Sequence, residues 1–318
     1  MYFDNKDSFL QPVVTQHGSH MVMTNVSKET RIKHWNIDTR FRDDYDNYSQ
    51  TVSGAPIPWF TFSLPQPIND VKSISVNNAE IPVSFFNVST ALGNNVMKID
   101  ASFVSIPDGF YTSSTLKTAV NAALTAASMS GVVFDISSNG NTAIRNGAGK
   151  TVTIAFAVKA SNTCRGAVVS GGTATADFDK YHVKSKLGWL LGFRNPTYTV
   201  TSGSVLPSEN IIDLTGPRYL YLVVDEFTNS NTNSFISPLP TSIINKNILA
   251  KITMDYAHYS FGQVITANPW NGLLIPDIRF YNGKVNLQKL KIQLVNEYGT
   301  PVNLNGLDFS FCLEIAYE

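Results

Sequence analysis

Few stretches of this chain carry the residue types that chemistry needs. DFDKYH offers Asp177, Asp179 and His182 as ligands for a cation, and RFRDDYD offers Asp43, Asp44 and Asp46. A hard cation is held by several converging oxygens around a glycine-enforced turn. Neither segment has that order, so both read as solvated charged loops. NGAGKT (146–151) has the lysine and hydroxyl of a phosphate-binding loop. The first glycine of that pattern would fall on Ile144, and Lys150 leads into TVTIAFAV, an alternating strand where a phosphate site needs a helix N-terminus. A glycine-rich hairpin turn is the expectation there. Nucleophilic catalysis needs a Ser or Cys beside a base that a carboxylate orients. His17, His20, His34, His182 and His258 lie in unrelated contexts, no GxSxG elbow occurs, and Cys164 and Cys312 lack the paired spacing of a zinc site or a disulfide framework. The expectation is a protein that is not an enzyme, with no catalytic residue, no metal and no cofactor.

Charge excludes further classes. Lys plus Arg balance Asp plus Glu, 24 against 24, so no net field draws the chain to nucleic acid or to an anionic membrane. The basic residues Lys28, Arg31, Lys33, Arg40 and Arg42 are interleaved with Glu29 and Asp38, and no direct nucleic-acid binding is expected. No stretch approaches the ~20 apolar residues of a spanning helix, and no basic-then-apolar start marks secretion. The sequons at Asn25, Asn47 and Asn87 read as chance in a chain rich in Asn and Ser.

The densest apolar packet is KLGWLLGFRNP (186–196). Leu187, Leu190 and Leu191 fall at i, i+3 and i+4, and Gly192 stands where a helix exits through a left-handed residue. The expectation is a short helix whose Leu187, Trp189 and Leu190, with Phe193, plug the open end of a sandwich. If Trp189 is buried there, its replacement by Ala costs about 3–5 kcal/mol.

The elements around it are strands. TVTIAFAV sends Val152, Ile154, Phe156 and Val158 to one face, and LDFSFCLEIAY aligns Leu307, Phe309, Phe311, Leu313, Ile315 and Tyr317. WFTFSL ends at PQP (65–67), and VKSISV follows. KLKIQLV, the turn NEYGTP and the final strand read as an antiparallel hairpin over 285–317. About ten strands emerge, with two helices, one of them capped by Thr112 or Ser113 and burying Leu116, Val120, Ala123 and Leu124. The whole is an antiparallel sandwich or barrel. Residues 1–34 carry no sustained period and read as an extended N-terminal arm.

Five segments in this order resemble a virion protein family of large icosahedral (nucleocytoplasmic) double-stranded DNA viruses. They are IDTRFR (37–42), FTFSLPQPINDVKSISVNNAEIP (60–82), IPDGFYT (106–112), LGWLLGF (187–193) and LTGPRYLYLVVDEF (214–227). The resemblance implies a jelly-roll minor capsid protein, of which the penton protein at icosahedral fivefold vertices is one form, and it implies no active site. Jelly rolls are antiparallel double-sheet folds used in capsids and lectins, in agreement with the strand pattern. The resulting expectation is all-β: an antiparallel jelly-roll sandwich with two short helices. Residues 35–318 would form a single domain with an insertion around 128–180. Its partners would be copies of itself, as a pentamer, and the major and other minor capsid proteins, in a virion assembled in the host cytoplasm or nucleus. The competing expectation is a glycan- or receptor-binding module, with Trp270 in ANPWNG and the TNSNTNS loop (228–234) at its surface.

Overall fold

The computed structural model describes residues 29–43, 59–90, 92–158, 183–227, 231–232, 247–299 and 301–318. The chain opens with β1 (Arg31–Asp38) and the long β2 (Phe60–Pro82). A group of short elements follows: β3 (Val96–Ile99), β4 (Ser102–Ser105), α1 (Ser113–Ala126), β5 (Val132–Ile136), β6 (Asn141–Asn146), β7 (Val152–Ala155), α2 (Leu187–Leu190), β8 (Thr197–Val200) and β9 (Val205–Ile211). The chain then returns through β10 (Tyr219–Asp225), β11 (Asn231–Thr232), β12 (Ile248–Thr253), β13 (Val264–Ala267), β14 (Leu274–Pro276), β15 (Arg279–Asn296) and β16 (Ser310–Tyr317).

These strands make three antiparallel sheets. The largest runs β1-β16-β2-β15-β10-β12-β14, with β11 paired to β15 and β13 to β2. The others are β4-β3-β7-β8 and β5-β6-β9. The fold is all-β and jelly-roll-like, with antiparallel sheets curled into a sandwich and two short helices.

Two large hydrophobic cores, beside a small third cluster of Tyr221, Val223, Ile248 and Val295, divide the described residues. One, the frame, lies on the large sheet and gathers Phe60, Phe62, Ile74, Leu222, Leu290, Ile292, Phe311, Leu313 and Ile315. The other, the module, is built from residues between Val88 and Val200, with Leu206, Ile212 and Leu214 packed against it. The insertion is thus much wider than the expected 128–180: the chain leaves the frame after β2 and re-enters it at β10. The arm is also shorter than residues 1–34, because Arg31 to His34 already pair with Tyr317 to Glu314 in β1. Residues 1–28 lie outside the described residues.

The clear periodicities behave as the physics requires. Phe311, Leu313 and Ile315 of β16 are fully buried, as are Val152 and Ile154 of β7 and Phe156 and Val158 just beyond its end, and each such side chain contributes about 1.5–3 kcal/mol by leaving water. Leu307 departs from its row: it is exposed, in the turn ahead of β16. In α1, Thr112 and Thr115 form a reciprocal capping box, and Leu116, Val120, Ala123 and Leu124 are the buried face.

Two expectations are corrected. PQP does not end a strand, because β2 runs through Pro65 and Pro67. The register shifts there, from Lys289 opposite Ser63 to Leu287 opposite Ile68, so the prolines sit in a bulge where no ladder hydrogen bond is asked of them. Nor do β15 and β16 form a hairpin: β2 lies between them, pairing with one along each edge.

Candidate functional site

Most sequence motifs resolve into architecture. In NGAGKT the buried amide of Asn146 donates to the carbonyls of Lys150 and Val200 and accepts from the N–H of Ala148, closing the turn from inside. Lys150 reaches Asp100 at 2.9 Å, with no phosphate cradle in view. Asn87 is buried, donating to the carbonyls of Tyr111 and Leu214 and accepting from the N–H of Tyr111, so its sequon is closed to a glycan. Asp43 accepts from Ser63. His258 Nδ1 lies 2.6 Å from Asp255 on the surface, and the same aspartate caps the turn through the N–H groups of Ala257 and His258. The Cys312 thiol is pushed above its ordinary range, chiefly by burial. Among the described residues no three His, Cys, Asp or Glu side chains converge as a metal site, and no helix is long and apolar enough to cross a membrane. Asp44, Asp46, Asp177, Asp179, His182, Cys164, His17, His20 and the sequons at Asn25 and Asn47 lie outside the described residues, as does most of TNSNTNS.

The LGWLLGF segment is split between core and surface. Leu187, Leu191 and Phe193 are fully buried in the module, and the Phe193 ring stacks on Phe156 with centroids 5.0 Å apart. A Cβ on Gly188 would run into Phe156, and one on Gly192 (φ +95°) into the Asn210 carbonyl, so both glycines mark close approaches. Trp189, expected in the plug, is only half-buried and outside the module core, while Leu190 is half-buried and packs against that core. A four-residue helix has one inward stripe, and Leu187 with Leu191 occupies it. Trp189 turns to the other side, where the Arg194 guanidinium lies 4.1 Å and the Lys184 ammonium 5.8 Å from its ring.

What the frame leaves open is apolar surface. The register places Ile32, Ala316, Ser73 and Phe280 in one row across β1, β16, β2 and β15. Ile32 and Phe280, at the two ends of that row, are 60% and 57% exposed, and Ile278 projects two residues from Phe280. Small side chains between them keep this sheet face low. Phe41, Phe227 and Trp270 project elsewhere, Trp270 with 85% of its surface in water. Asn268 and Asn271 hold the Trp270 turn by reciprocal backbone-to-side-chain bonds. Contiguous apolar side chains kept in water can bury against another molecule, whereas single ones such as Phe41, Phe227 and Trp270 are ordinary on a protein surface.

A second feature lies where module meets frame. Phe261 of the frame stacks between Phe86 and Phe110, with centroids 6.3 and 5.0 Å away. A pocket opens nearby, walled by Phe85, Phe86, Leu92, Pro217, Asn296 and Val302. Beside Pro217 and Asn296 sit Arg218, paired to Asp213 at 3.0 Å, and Glu297. Burial pushes the Glu297 carboxyl above the usual carboxylate range. Tyr298 is raised to about 12, chiefly by burial, and donates to the Lys184 carbonyl across the joint. Sequence reading missed this group because its members come from separate segments with no shared spacing.

No family model and no curated protein matches the chain. Among solved structures it is similar to the crystal structure of selenomethionine-labelled mavirus penton protein, with 9% identity and a TM-score of 0.43 over 91% of this chain and 99% of that one, a likeness that assigns no role to any residue.

Proposed function

We propose that the chain is a structural protein of a virion shell, a minor capsid component that acts by shape and not by catalysis, and within that class the penton at fivefold vertices. The observation that carries the reading is the placement of the five recurrent segments. Each is spent on the frame, the module core or the joint between them. Arg42 of IDTRFR pairs with Asp308 at 2.9 Å and donates to the Thr39 carbonyl. The 60–82 run is β2, an inner strand of the large sheet that pairs with β16 and β15. IPDGFYT delivers the Thr112 cap, LGWLLGF supplies Leu187, Leu191 and Phe193, and LTGPRYLYLVVDEF is the joint and β10.

Motifs that encode geometry, together with exposed apolar side chains on a rigid sheet, suit a protein that buries its surface against copies of itself and against other shell proteins. Five copies about an axis form a heterologous ring that closes. The test is the copy number in purified particles, by quantitative mass spectrometry against the major capsid protein. About sixty copies, a ring of five at each vertex, are expected of a penton. Several hundred would make the chain a protein cementing the shell faces, and absence from particles would overturn the reading.

The glycan- or receptor-binding alternative rests on Trp270, an exposed aromatic face framed by amides. Binding to a glycan array that Trp270→Ala abolishes would favour it, and binding that survives the substitution would remove this site.

A further inference from the structure

The joint between module and frame contains a carboxyl group that its surroundings serve unevenly. Glu297 follows β15, in the turn whose Tyr298 and Gly299 N–H groups bond to the Asn296 side chain and carbonyl. Its carboxyl takes backbone hydrogen bonds from Arg218 and from its own N–H, yet Oε2 is out of contact with water and has no hydrogen-bond partner. The titratable groups facing it are Arg218 and Asp213 on the returning segment, Tyr219 on β10, Tyr256 and Tyr298. Arg218 is turned to Asp213 and is largely in water. The three phenols are all held above their ordinary range, chiefly by burial, so they stay neutral and cannot compensate the charge. Two of them tie the joint: Tyr256 donates to the Pro217 carbonyl at 2.7 Å, and Tyr298 to the Lys184 carbonyl at 3.0 Å.

We propose that Glu297 is a proton-operated latch: with its proton the returning segment 213–218 is held closed on the frame, and loss of the proton loosens module from frame. An ionised oxygen buried without a partner costs more than a neutral one, because the charged form loses far more hydration. The carboxyl is raised in the folded state, so its contribution is complete below the ordinary glutamate range and fades as pH climbs through the raised value. Asp213 has the opposite sign. Burial opposes its charge, but bonds from Thr215 and Arg218 hold it below the usual aspartate range, so its contribution fades only as pH falls through that lowered value. The joint is therefore tightest in mild acid, between the two transitions.

Hydrogen exchange of the full chain, corrected for intrinsic rates, tests this at the Met254 amide, which bonds to the Arg218 carbonyl. Protection there should fall by about fivefold or more between pH 5 and pH 8, while β16 amides change little. In Glu297→Gln the fall should vanish. Equal protection at both pH values, or a slope that survives Glu297→Gln, would overturn the latch. Should that variant fail to fold, carboxyl-carbon NMR of wild-type protein labelled on glutamate decides: one glutamate must titrate above the others, and a spectrum without such a resonance refutes the proposal.

Discussion

Frame and module solve the burial of polar groups in different ways. The frame fixes distant strands with charge. Arg279 and Glu226 meet at 2.6 Å with side chains 0% and 1% exposed, Arg279 also donates to the Val224 carbonyl, and Arg42 meets Asp308 near the start of β16. The module relies mainly on neutral amides and hydroxyls, with Lys186 its one buried charged side chain among the described residues. Asn87, Asn94, Asn95 and Asn146 are buried on backbone carbonyls, and Thr142 donates to the Leu191 carbonyl at 2.6 Å. A buried ion pair is costly to assemble and severe to break, which suits pairings that must tolerate no alternative register. An amide costs less to bury and saturates several backbone groups at once, which suits the turns of a locally folded unit.

The difference can be broken most directly in the frame. Glu226→Gln, which strands the Arg279 charge, should cost about 3–5 kcal/mol in urea unfolding, while Glu226→Leu with Arg279→Met should recover most of it. A single-variant cost below ~1 kcal/mol would mean that charge does not anchor the frame. In the module, Asn146→Ala removes three hydrogen bonds and leaves two carbonyls and an N–H unserved, an expected loss of about 2–3 kcal/mol. Its exchange signature should stay within the module, over β5 to β9, and spreading to β16 would show that the two cores unfold as one. Trp189→Ala should cost only about 1–2 kcal/mol, because the ring is half-buried and held by two cations. Phe193→Ala at the buried end of the same segment should cost about 3–5 kcal/mol. Trp270→Ala should leave stability within about 0.5 kcal/mol of wild type while weakening assembly or ligand capture.

Strong periods and caps were legible from sequence. The β7 and β16 alternations and the Thr112 cap needed only neighbours within a few residues. Contacts set by the whole sheet were not. Pro65 and Pro67 look like a stop unless the bulge opposite Leu287 is known, and β15 and β16 look like a hairpin unless β2 is seen between them. The LGWLLGF segment was half legible, since an i, i+4 stripe identifies Leu187 and Leu191 but helix length decides whether Trp189 follows them inward. The joint was invisible, because Asp213, Arg218, Tyr256 and Glu297 share no local pattern.

The position of β16 between β1 and β2 also sets an order of events while the chain is being made. Ser310 of β16 binds Glu80 of β2 across 230 residues, which a ribosome takes roughly 10–50 s to add. Through most of that interval neither edge of β2 has its partner, since β15 is also still to be made, while the module between can close on its own local contacts. A nascent chain is therefore most exposed to mispairing with its neighbours on a polysome after the module has folded and before β16 arrives.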